Sequence, residues 1–140
     1  MAPDGGAGAS ASRSPLDEAN ARFGAAVVAH DAAGVLAWFS KTRPFTFVSG
    51  GPDGHTRKLR FDYAAVSKGI QPHGNFRDFF FGDDSELLDA FEKSQNWSRV
   101  RGNLFVPPGN EARPEDAPTA VRWRKEGNVW VIDQLFDEGA

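Results

Sequence analysis

Apolar positions recur at helical spacing early in the chain and at strand spacing late in it. Leu16, Ala19, Phe23, Ala26, Val27 and His30 fall on one stripe. Ahead of them, Ser14-Pro15-Leu16-Asp17 offers a capping hydroxyl, a proline suited to the first helical position and an acidic residue that complements the helix dipole. The spacing predicts a helix of about four turns. His30, closing the stripe, reads as a core or interface histidine with its ring hydrogen-bonded. Asp31 then caps a second helix over residues 32–40, where Val35, Leu36 and Phe39 continue the apolar face after a bend.

Pro44 ends the helical run. Phe45-Thr46-Phe47-Val48 reads as a strand closed by the turn cluster Ser49-Gly50-Gly51-Pro52-Asp53-Gly54. In the return segment Lys58, Arg60 and Asp62 alternate with Leu59, Phe61 and Tyr63, so a β-hairpin is expected with Asp62 on its polar face. Residues 64–82 show no period and are read as irregular. The Phe79-Phe80-Phe81 run within them reads as exposed and marks a lid or dimer contact, since three consecutive rings cannot all point inward. Asp83 with Glu86 forms a capping-box pattern before Leu87, Leu88 and Phe91, predicting a helix to about Gln95.

Residues 97–106 are strand-like, with Gly102 as a candidate bulge, and residues 107–118 are a surface loop. Two alternating segments, 119–125 and 129–136, flank Glu126-Gly127-Asn128 and form the strongest hairpin signal in the chain. The last segment is apolar on both faces, which predicts a central strand.

Length and composition narrow the class. One hundred and forty residues with 40% apolar and 25% charged side chains suit one domain, set at residues 14–138 behind a flexible Ala, Gly, Ser and Pro-rich tether at 1–13. A net charge of -3 disfavours a nucleic-acid partner, and the lack of cysteine removes disulfides, thiolate chemistry and cysteine-ligated metals. Nothing approaches the ~20 consecutive apolar residues of a transmembrane segment. The tether suits either a cytoplasmic or an exported protein. Twelve Phe and four Trp are more ring than a minimal core needs, so they line either a thick core or a pocket.

The order of elements gives an α+β class, with N-terminal helices packed on a strongly curved, mostly antiparallel sheet. Phe-Gly-Ala-Ala-Val-Val-Ala-His-Asp-Ala-Ala-Gly-Val-Leu-Ala-Trp-Phe at 23–39 and Val-Arg-Trp-Arg-Lys-Glu-Gly-Asn-Val-Trp-Val-Ile at 121–132 resemble the entry helices and closing hairpin of the nuclear-transport-factor-2-like (SnoaL-like) superfamily. The resemblance covers the two ends of the span 16–136, and the Phe-rich middle departs from it. It implies a cone-shaped roll enclosing a pocket, used by members for proton transfer or dehydration, for ligand binding, or for dimerisation.

Candidate chemistry is sparse. Asp62 beside Tyr63, and His30, are the weak candidates for acid–base work, because a carboxylate or imidazole in an apolar cone can hold a shifted pKa. The three histidines lack metal-ligand spacing. Arg99 with Arg101, and Arg122 with Arg124, are each two apart and would converge from neighbouring strands as an anion site. Trp38, Phe47, Phe61, Trp97 and Trp123 are the candidate ligand-lining rings. The chain thus reads as a non-catalytic domain binding a small apolar or anionic ligand or a partner, without cofactor, and pairing as a homodimer through its sheet. The alternatives are a cofactor-independent enzyme using Asp62, Tyr63 or His30, and an exported accessory protein without ligand.

Overall fold

The computed structural model describes residues 14–49 and 57–137. The tether at 1–13, residues 50–54 of the expected turn, and His55 lie outside them.

Helix α1 (Pro15–Val28) starts where its capping signals stand: Ser14 Oγ accepts the Asp17 N–H at 3.1 Å and Pro15 opens the first turn. His30 does not extend its stripe. It lies beyond the helix end with φ 55°, exposed, its ring stacked on Phe81 at 5.1 Å. Asp31 caps α2 through the Gly34 N–H at 3.0 Å, but α2 (Ala32–Leu36) stops short of residue 40. The Trp38 carbonyl is instead turned outward to accept the Ile132 N–H at 2.9 Å.

Strands β1 (Phe45–Ser49) and β2 (Lys58–Phe61) pair antiparallel as expected, with Phe45 opposite Phe61. The segment read as irregular holds two helices, α3 (Tyr63–Gly69) and α4 (Arg77–Phe81). Asp62 is the N-cap of α3 rather than a strand residue, its carboxylate accepting the Ala65 N–H at 2.8 Å. Helix α5 (Glu86–Lys93) is capped by Ser85 and not by Asp83, because the Ser85 hydroxyl accepts the Leu88 N–H while donating to the Phe79 carbonyl.

Gly102 is no bulge. Gly102 (φ 76°) and Asn103 (φ 61°) reverse the chain in a 3-10 turn, Arg101–Asn103, that splits the expected strand into antiparallel β3 (Ser98–Val100) and β4 (Leu104–Val106). A second 3-10 turn, Pro114–Asp116, precedes β5 (Thr119–Glu126) and β6 (Val129–Asp137). The six strands form one mixed sheet in the order β2-β1-β6-β5-β4-β3, parallel only between β1 and β6. β6 is internal, as its two apolar faces require. The β5–β6 register shifts between Arg122 and Trp123, leaving Asp133 as the extra residue of β6.

The α+β class holds: helices cover one face of the sheet, and rings fill the space between. Phe91 stacks on Trp97 at 3.9 Å, Phe23 meets Phe91 and Trp123 edge-on, and Phe76 packs against Phe45, Phe47, Phe61 and Phe80. Each such burial stabilises by roughly 2–3 kcal/mol. Phe79-Phe80-Phe81 belongs to this core and is not an exposed run. On α4 successive side chains turn about 100° apart, so Phe80 and Phe81 are buried and Phe79 packs on Phe47. On the opposite face of the sheet Val48, Leu104, Val106, Ala120 and Phe136 form a second cluster with Ala117, which the loop after β4 lays over them. No described helix is long and apolar enough to cross a membrane.

Candidate functional site

Beside the rings packed beneath the helices, an apolar concavity opens among the described residues. Three pieces bound it: the first two turns of α1, the connection after α2, and the tip half of the β5–β6 hairpin. The recess measures about 600 Å³, and Ala19, Trp38, Phe39, Val129, Trp130 and Val131 supply its apolar wall. Its position follows from strand lengths. β1 pairs with β6 only at Gln134–Asp137, so the half of β6 nearer the turn has β5 on one side and the residue 37–42 connection on the other.

A polar cluster secures that connection. Ser40 Oγ lies 2.8 Å from both carboxylate oxygens of Glu126 and accepts the Thr42 and Arg43 N–H groups. The Arg124 guanidinium, itself four-fifths buried, donates to Asp133 at 2.8 Å and to the Pro44 carbonyl at 3.2 Å and stands 3.6 Å from Glu126. These contacts hold the groove wall at a fixed distance from the hairpin. The serine oxygen is occupied by two main-chain donors and a carboxylate, which makes it a turn anchor.

The sequence-predicted residues are dispersed. Among the ring candidates, Trp38 borders the groove and meets Trp123 edge-on at 5.7 Å. Trp123 and Trp97 are buried: Trp123 donates to Asn20 and Trp97 donates to the Ser94 carbonyl. Phe47 and Phe61 are half-buried against Phe76, and Phe47 also borders a smaller recess of about 440 Å³ whose rim carries Asp78, Asp83, Asp84 and Glu86. Val129 is a groove residue that the pattern did not single out as a site, and Trp130 borders the groove beside it. Alternation shows which faces are apolar but not which face meets an open concavity.

The four arginines do not converge on one strand face. The turn at Gly102 takes Arg101 off the strand that carries Arg99, and both are exposed. Arg122 donates to Gln134 and to the Gly102 carbonyl, each at 2.8 Å. Burial pushes its guanidinium below the ordinary value, opposed by the Asp133 carboxylate. Arg124 belongs to the Ser40–Glu126 cluster described above. Arg101 and Arg122 do share an open recess of about 730 Å³, but Glu111 and Glu115 line it too, so its charges are mixed.

The acid–base candidates occupy separate neighbourhoods. Asp62 is exposed and engaged in capping, Tyr63 is half-buried with Lys41 Nζ 5.7 Å from its ring centre, and His30 stacks on Phe81, whose ring also meets the Arg77 guanidinium at 4.8 Å. None of the three borders the groove. Among the described residues no three His, Asp or Glu side chains gather as a metal's ligands would. Comparison with protein-family models, with curated proteins and with solved structures gives no match.

Proposed function

We propose that this chain is a non-catalytic binding domain of the nuclear-transport-factor-2-like type, and that its ligand seat is the groove between Trp38 and Trp130. One observation carries this reading: the apolar recess opens beside the hairpin, whereas the helical side of the sheet, where a cone's pocket would lie, is occupied by the chain's own rings. A recess of this size, with two tryptophans, Ala19, Phe39, Val129 and Val131 on its apolar wall, suits an apolar ligand surface.

The test is a titration with the fluorescent probe 1-anilinonaphthalene-8-sulfonate. Saturable binding by the wild type, with transfer of excitation from tryptophan, is expected, and Val129→Asp on the groove rim should abolish it. The ring-filled interior also favours a second reading, an accessory protein without a small ligand. Absence of saturable binding, or binding that ignores the Val129 substitution, would decide for that second reading.

A further inference from the structure

We infer that the groove takes an extended, apolar, acid-flanked peptide segment of a partner protein, laid as a short strand beside Trp130. The inference rests on the groove being a ligand seat and adds what occupies it.

The main chain of β6 provides the first argument. Ile132 turns its N–H away from β5, to the Trp38 carbonyl. Successive residues of an antiparallel strand turn their main-chain groups to alternate sides, and the β5–β6 irregularity lies beyond Ile132, so Trp130 shares its parity. The Trp130 N–H and C=O therefore both face the groove side. Among the described residues neither is hydrogen-bonded outside the β5 ladder. An apolar small molecule would leave both unpaired, and a carboxylate would use only the N–H. An extended backbone satisfies donor and acceptor together, as in strand addition to a sheet edge.

Side chains and charge supply the rest. Trp38, Trp130 and Val129, the last 58% exposed, offer apolar contacts to alternate side chains of such a segment. Lys41 borders the groove with its Nζ 5.7 Å from the Tyr63 ring centre, and Lys125 Nζ lies 5.6 Å from the Trp130 ring centre. Neither lysine has a carboxylate within 4.0 Å among the described residues, whereas Glu126 is engaged by Ser40 and Arg124, and Glu18 meets Arg22. Two cations with no carboxylate partner among the described residues favour acidic residues flanking the apolar segment.

Two measurements on the full chain test this. Amide exchange followed by NMR should find the Trp130 N–H exchanging fast in the free protein and the Val131 N–H protected by β5; a protected Trp130 amide overturns the inference. Panning a random heptapeptide library should enrich apolar cores with Asp or Glu flanks on the wild type but not on Val129→Asp. The best peptide, N-methylated at its central residue, should bind about tenfold or more weakly, the loss of a main-chain bond to an otherwise unpaired group. Lys41→Glu should weaken it about two- to fivefold at low salt. No enrichment, or indifference to N-methylation, overturns the inference. Probe binding without peptide enrichment leaves the ligand seat standing and removes only the peptide, whereas loss of both removes both.

Discussion

The indole N–H of Trp123 donates to the side-chain oxygen of Asn20 at 2.9 Å, fastening β5 to α1 between residues 103 positions apart. Both partners are almost fully buried, so the bond replaces hydration that neither can recover. Asn20→Ala strands the Trp123 donor and should destabilise the fold by about 1–3 kcal/mol. Urea unfolding with an unchanged m-value is the measurement. A loss well under the lower bound would mean that water reaches the indole.

Gly102 meets two constraints at once. Its φ of 76° disfavours a side chain, and a Cβ there would stand 2.5 Å from Arg122 Nη1. Gly102→Ala should cost about 1–2 kcal/mol from the backbone conformation alone, and should displace Arg122 from the Gly102 carbonyl. Chemical denaturation would show the first effect and the Arg122 side-chain NMR signals the second. A neutral substitution would show that the turn relaxes to a conformation open to alanine.

Asp62 is expected to act on stability and not on turnover. Asp62→Ala removes the Ala65 cap and should cost about 1 kcal/mol, while Asp62→Asn retains most of it because asparagine caps comparably. Thermal unfolding of the two variants distinguishes them. Equal destabilisation by both would point to the charge instead of the cap.

The Glu111 carboxylate accepts from Ser98 Oγ at 2.6 Å and from the Gly109 N–H at 2.8 Å. Chiefly the serine, with the backbone donors, holds it below the ordinary carboxylate range. A depressed folded pKa means that this contact is fully present above the unfolded value and is lost as pH falls through the folded one. Carbon-13 titration of Glu111 should report the low value, and Ser98→Ala should raise it toward the ordinary one. An ordinary titration in the wild type would mean that the loop does not hold this geometry in solution.

Local physics made much of the fold legible. Ser14 and Pro15 announce α1, Asp31 restarts the helix, the Gly127 turn sets the last hairpin, and the two apolar faces of 129–136 place β6 inside the sheet. Each signal is complete within a few neighbouring residues, whose caps, turns and periods act without the rest of the chain. Shorter elements escaped. α3 and α4 have seven and five residues, too few for a period to emerge, and the cap at Asp62 was hidden inside an alternating run.

What the chain determined by itself was therefore its α+β order and its supply of rings. Tertiary structure decided where those rings went, filling the helical side of the sheet, and where a concavity remained. The groove depends on Trp38 meeting Ile132 and on Ser40 meeting Glu126, 86 positions away, and on β1 pairing with only part of β6. Contacts at such separation arise when packed elements compete for the same partners, and a period of two or 3.6 residues carries no record of that competition.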